Sequence, residues 1–175
     1  MASRVDSASQ HKAAQVAGFM FLLALLVPLL NWTFVLSVFI VADDAAATAR
    51  NIMANEFLFR AGLAVELFMT MGLVVLAHAL YVVLRPINKN VALVALLLKL
   101  IEAAIVGAIV LVSFIALQIA AGGASLTAST SEQLQVLVGL SLQTHTETCS
   151  VPMLFLGLDM VIFCYLFLRS RYIPR

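Results

Sequence analysis

Apolar residues are gathered into four long blocks, and short polar or charged stretches separate them. The blocks span about residues 17–41, 57–84, 91–120 and 149–168. Each is long enough to cross a bilayer core of ~30 Å as an α-helix, which needs about 20 mostly apolar residues. The pattern predicts an all-α membrane protein with four transmembrane helices in an up-down bundle. Residues 1–175 are predicted to form a single transmembrane helical domain.

The first block is the one that a signal peptide could imitate. Its apolar run of roughly 25 residues exceeds the 7–15 residues of a signal-peptide core, so a retained helix is the preferred interpretation.

Composition supports membrane insertion, because 63% of the residues are hydrophobic and 11% are charged. Soluble domains have about 45–50% apolar and about 25% charged residues. The lipid bilayer is therefore the expected environment. The net charge of +1 gives no reason to expect a nucleic-acid partner.

The basic residues predict the orientation of the helices. On one side of the predicted membrane lie Arg4, Lys12, Arg85, Lys89, Arg169, Arg171 and Arg175. Only Arg50 and Arg60 lie on or near the other side. By the positive-inside rule, both termini and the short turn at Pro86–Asn90 are predicted to be cytoplasmic.

The two outer connections differ from this short turn. The first, Ala42–Ala54, carries Asp43 and Asp44 and is rich in alanine. The second begins after Gly122 and Gly123, which permit the third long helix to end there. Mixed apolar and polar residues at 131–148 then predict a short amphipathic helix before the fourth span. This helix either lies on the membrane surface or extends the fourth helix, and both placements stay open.

Ionisable residues inside the apolar blocks are the main candidates for a site. Each costs about 2.5–3.5 kcal/mol at the bilayer centre, so it normally faces a partner or a water-filled cavity. Counted from the cytoplasmic ends, His78, Lys99 and Asp159 each lie about ten positions, or ~15 Å, into their helices. Glu102 is one turn further along the face of Lys99, and Asn31 reaches its level.

These depths predict one buried polar layer, composed of Asn31, His78, Lys99, Glu102 and Asp159. Lys99 is expected to pair with Glu102 or Asp159, and His78 would be the titratable member of the layer. Such a layer either fixes the register of the helices or forms a proton-relay or ligand-binding site.

A second set of polar residues lies toward the outer surface, and it comprises Glu56, Arg60, Glu66, His145 and Glu147. Glu56 and Arg60 are spaced i, i+4 and are expected to pair on one helix face. His145, Glu147 and Cys149 alternate, and in a helix successive members of that series point about 200° apart. No metal site and no cofactor are therefore predicted.

Several stretches together resemble a known family. They are Asn55–Arg60, Leu80–Lys89, Lys99–Ala103, His145, Phe155–Leu158 and Tyr165–Arg175. Their order and spacing, over nearly the whole chain, resemble the bacterial integral membrane proteins of domain-of-unknown-function family 4386. The resemblance implies a bacterial inner-membrane location and no established activity. Members of that family usually continue into further C-terminal hydrophobic helices, so a partner is expected to supply their surface to this shortened chain.

The sequence contains no phosphate-binding glycine loop, nucleophile elbow, His-Glu-x-x-His motif or paired-cysteine metal site. No catalytic residue is assigned and no enzyme activity is expected. The first functional hypothesis is a structural or accessory subunit that associates with itself or with a larger membrane complex. The alternative is a carrier or sensor that binds a proton, a lipid or a small molecule at the buried polar layer.

Overall fold

The computed structural model describes residues 2–41, 44–122 and 150–170, and the regular structure within these ranges is entirely helical. The elements are α1 (Ala2–Asn31), a π-helix (Trp32–Leu36), α2 (Ala45–Ala54), α3 (Glu56–Leu84), α4 (Lys89–Gly122) and α5 (Ser150–Ser170).

Within the described residues, four helical stretches are long and apolar enough to cross a membrane. They are Gln10–Leu36, Glu56–Leu84, Lys89–Ile115 and Ser150–Ser170. The prediction of an all-α membrane protein with four spans is therefore confirmed. The predicted amphipathic helix at 131–148 lies outside the described residues.

The first helix begins earlier than the hydropathy pattern predicts. It starts at Ala2, whereas the apolar block starts near residue 17. Hydropathy marks where the apolar residues begin, but backbone hydrogen bonding continues through any helix-forming polar residues that precede them. Gln10 and Lys12 are of this kind.

The first span changes its helical geometry after Pro28. Pro28 lies inside α1 and has no N–H to donate to the preceding turn. The π-helix follows one turn later, and Ser37 N donates to Trp32 O at 2.9 Å across five residues. Wider turns of this kind occur mostly as single insertions in longer helices.

The first outer connection contains a helix, α2, which the sequence analysis did not predict. Asp44 is its N-cap, and one carboxylate oxygen accepts a hydrogen bond from Ala47 N at 2.8 Å. Thr48 is buried, and its hydroxyl oxygen accepts from Val41 N at 2.9 Å. An aspartate followed by alanines is a common start of a helix, so the signal was present in the sequence.

The short turn around Pro86 has the predicted position between α3 and α4. Pro86 disfavours helical continuation, and α3 ends at Leu84. The side-chain oxygen of Asn88 accepts from the backbone N–H groups of Asn90 and Val91, both at 3.2 Å. Asn88 thereby caps the start of α4.

The chain divides into two compact units, which are described separately. The first unit comprises the residues up to Leu25, Met69–Ile105, and the residues from Val151 onward. Its buried core combines the inner half of α3 with small residues of α4 and the end of α5. The core residues are Ala17, Leu76, Ala79, Leu80, Val83, Leu84, Ala92, Ala95, Phe163 and Leu166.

The second unit comprises Leu26–Phe68 and the residues from Val106 to Ser150. Its core residues are Leu36, Phe39, Ile52, Phe59, Leu63 and Leu117. The rings of Phe39 and Phe59 meet edge to face, with centroids 5.5 Å apart. Trp32 is partly buried and packs against this cluster.

Gly62 permits a close approach in the second unit. A Cβ atom at this position would lie 2.8 Å from Leu36 Cδ2 and 3.1 Å from Val35 Cγ1. Gly62 O also accepts a hydrogen bond from Asn31 Nδ2 at 3.1 Å. The absence of a side chain therefore allows both the packing and the hydrogen bond.

We expect Gly62→Val to lower the free energy of unfolding by about 1–3 kcal/mol, because the added atoms overfill a packed contact. Gly157→Val is the matched control, since nothing lies within 4 Å of a Cβ atom at that position. Thermal unfolding of the purified variants in detergent measures both effects. Equal losses for the two variants would contradict the proposed close approach.

Candidate functional site

One face of α4 carries the candidate site. Its buried positions recur at helical spacing and are occupied by Ala92, Ala95, Lys99 and Glu102. The alanines add little volume, so neighbouring helices can approach closely there. Lys99 is thereby placed in the interior of the first unit, with 1% of its surface exposed.

Two carboxylates surround the Lys99 ammonium group. Glu102 lies one turn further along α4, and Lys99 Nζ is 2.8 Å from Glu102 Oε2. Asp159 comes from α5, and the same nitrogen is 3.0 Å from Asp159 Oδ2. Glu102 is 6% and Asp159 0% exposed. Lys99, Glu102 and Asp159 are called the ionic triad below.

The ionic triad lies near the middle of its spans. Lys99 is ten residues after Lys89, the first residue of α4, which corresponds to about 15 Å along the helix axis. Asp159 is nine residues after Ser150, the first residue of α5, or about 14 Å. At such depths a membrane supplies no water to solvate a charge, so each charged group depends on its neighbours.

The two carboxylates are not equivalent. Lys99 Nζ donates a hydrogen bond to Glu102 Oε2, whereas its contact with Asp159 is an ion pair without hydrogen-bond geometry. Asp159 Oδ1 has no hydrogen-bond partner among the residues that the structure describes. Glu102 is also close enough to repel Asp159 electrostatically. Asp159 is therefore the weakly satisfied member of the ionic triad.

The composition of the ionic triad limits its chemistry. Two carboxylates and one ammonium group can hold two helices together, and they can bind or release a proton. Residues 2–41, 44–122 and 150–170 contain no cluster of three or more histidine, cysteine or acidic side chains suited to a metal ion.

His78 was expected in the buried polar layer, and that expectation is wrong, because its side chain is exposed. Its distance from the inner turn gives its height along α3 but not its direction around the helix axis. The buried residues of this part of α3 include Leu76, Leu80 and Val83. His78 is two positions from Leu76 and from Leu80, which at 100° per residue turns it away from both.

Asn31 is buried, as expected, but it belongs to the second unit. There it donates to Gly62 O at the close approach described above. The polar pattern of the sequence does not indicate this acceptor. A glycine inside an apolar helix is the signal that could have indicated it, because its backbone is accessible to a neighbouring side chain.

The predicted outer-side patch is only partly described by the structure. Glu56 and Arg60 form the expected i, i+4 ion pair at the start of α3. Glu66 lies ten residues after Glu56, about 15 Å deeper along the helix, and it is partly buried. His145 and Glu147 lie outside the described residues.

The comparisons with known proteins identify a family but no activity. The family model described as a domain of unknown function (DUF4386) matches residues 16–175. Neither a curated protein nor a solved structure matches the chain.

Replacement of the triad lysine tests the ion pairs. We expect Lys99→Leu to lower the free energy of unfolding by about 3–5 kcal/mol at neutral pH, because the two buried acidic side chains lose their cation. Acidic pH should restore part of this loss, because neutral carboxylic acids then form at a smaller free-energy cost. Thermal unfolding measures the effect, and Lys89→Leu is the control at an exposed lysine of the same helix. If Lys99→Leu melts at the same temperature as the wild type, the ion pairs of Lys99 do not stabilise the fold.

Proposed function

Because this chain belongs to the DUF4386 family, whose function is unknown, we propose its role from the geometry. The protein is a membrane-embedded structural or accessory subunit without enzyme activity of its own. It associates with copies of itself or with a larger membrane complex.

The ionic triad supports the structural part of this proposal. Polar contacts between helices hold them at a fixed register within a membrane, where lipid tails are as apolar as leucine and provide no hydrophobic driving force. Lys99 contacts acidic groups from two helices, α4 and α5. A rigid bundle of this kind can present a constant surface to a partner.

His78 is the single observation that supports association. It lies six residues before the end of α3, about 9 Å along the axis, within an apolar span. Its ring is exposed, on the same broad face as Met71 and Val75. Ionisable residues within a span normally face other protein groups or water, and not acyl chains. A neighbouring protein surface would provide such groups for His78.

A photo-crosslinker at position 78 tests the association in native membranes. Benzoylphenylalanine replaces His78 in one variant and Val161 in the control, since Val161 is an outward-facing apolar residue of α5 that is 69% exposed. We expect a discrete protein adduct from position 78 and only lipid adducts from position 161. An adduct of twice the monomer mass indicates a homo-oligomer, and one of another mass indicates a different membrane subunit. Lipid adducts alone from both positions would contradict the proposal.

The proposed location is the bacterial inner membrane, with both termini and the inner turn in the cytoplasm. In a variant with Cys149→Ser and Cys164→Ser, single cysteines at Asp44 and Asn90 would report the two sides of the membrane. A membrane-impermeant maleimide should label Asp44→Cys in intact cells, and Asn90→Cys only after permeabilisation, because the basic residues favour the cytoplasmic side. The reverse pattern would contradict this orientation.

A further inference from the structure

The charges of the ionic triad do not balance. If Lys99, Glu102 and Asp159 are all ionised, the triad has a net charge of −1. All three side chains are at most 8% exposed, so water does not compensate for that charge. A buried charge without a partner costs several kcal/mol, and a carboxylate normally avoids this cost by binding a proton.

We propose that the ionic triad binds one exchangeable proton, which Asp159 holds as a neutral carboxylic acid. The membrane interior then contains a neutral site composed of an ammonium–carboxylate pair and one acid. This inference does not depend on the proposed association at His78.

The geometry assigns the proton to Asp159 and not to Glu102. Glu102 accepts the shorter contact from Lys99, and that contact is a hydrogen bond, so the negative charge of Glu102 is directly compensated. Asp159 has the longer contact, and its Oδ1 atom has no hydrogen-bond partner among the described residues. Protonation of Asp159 also removes its repulsion with Glu102.

Among the described residues of the first unit, no other charged group takes the place of this proton. Lys99 and Glu102 are the charged groups that act on Asp159. Among the other titratable side chains described in the first unit, His78 of α3, Lys89 of α4 and Cys164 of α5 are exposed. Arg169 donates instead to the Tyr165 hydroxyl oxygen at 3.0 Å, near the end of α5.

A metal cation is a poorer ligand for this site than a proton. The Lys99 ammonium group already lies between the two carboxylates, at 2.8 and 3.0 Å, where a cation would otherwise bind. Hard cations also need about six oxygen ligands, and two carboxylates do not provide them.

The bound proton makes the stability of the protein depend on pH. The folded protein holds a proton that Asp159 in a solvated, unfolded chain gives up at neutral pH. Since the folded state binds more protons, its stability falls as pH rises. Loss of the proton leaves a net negative charge between α4 and α5, so the site couples the proton concentration to the packing of these two helices.

Infrared difference spectroscopy of the full chain in lipid vesicles counts the protonated acids. The spectrum of Asp159→Asn is subtracted from that of the wild type, so the absorption of the carboxyl groups elsewhere in the chain cancels. At neutral pH, the wild type should then show one carbonyl band of a protonated carboxylic acid. The band should shift in D2O, because the proton is exchangeable, and it should disappear at alkaline pH.

Two further variants test the charge balance. Glu102→Gln should show no band, because Asp159 then ionises to pair with Lys99. Lys99→Met should show two acid groups, because both carboxylates lose their cation. If Lys99→Met does not fold, the spectra of the wild type and Glu102→Gln still test whether Asp159 holds the proton. Asp159→Asn and Glu102→Gln are both expected to fold, since each keeps one ammonium–carboxylate pair.

Several outcomes would overturn the proposal. The first is a wild-type spectrum without the acid band from neutral to mildly acidic pH, and the second is an undiminished band in Glu102→Gln. The third combines two results: the wild-type spectrum has no acid band, and the melting temperature rises with sodium concentration in the wild type but not in Asp159→Asn. That combination would show that the site binds a cation. We expect the melting temperature of the wild type to fall with rising pH, and that of Asp159→Asn to change less.

Discussion

The first unit depends on the contact of one buried ammonium group with two carboxylates. Lys99 is buried near the middle of a helix that is long and apolar enough to span a membrane. A charged lysine in the interior of a span needs acidic partners to be stable. Glu102 provides one partner from the same helix, and Asp159 provides the other from α5. The contact with Asp159 joins α4 to α5, so it limits the mutual rotation of these two helices.

The packing around the ionic triad follows from this requirement. Ala92 and Ala95 on the same face of α4 are fully buried and small, so they do not hold neighbouring helices apart. Phe163 and Leu166, one and two turns after Asp159, enter the core of the first unit. The apolar residues thereby close the space around the charges and exclude water, which strengthens each ion pair and raises the cost of an unpaired charge.

The core contacts of the second unit are neutral, although a partly exposed ion pair joins Glu56 and Arg60 at the start of α3. Asn31 donates to a backbone oxygen, Gly62 O, and the rings of Phe39 and Phe59 meet edge to face. An amide side chain needs no counter-ion, so this polar contact costs less to bury than a charge. The two units thus use different chemistry for the same purpose, which is to specify helix packing where apolar contacts alone do not discriminate.

The sequence by itself determined the four spans and the short turn after α3, and it placed Lys99 and Glu102 on one face of α4. Span length follows from bilayer thickness, Pro86 and Asn88 specify the turn, and a spacing of three places two residues of one helix on the same face. The α2 helix was also encoded locally, by Asp44 and the alanines after it, although the analysis did not predict it.

Only the tertiary structure decided which way each helix faces and which helices meet. It turned His78 outward, brought Asp159 to Lys99, and gave Asn31 a backbone partner at Gly62. The physical reason is that lipid and protein interior are equally apolar, so the faces of a transmembrane helix have nearly the same hydropathy. Depth can be counted along a helix from the sequence, but rotation depends on contacts between helices that are distant in the chain.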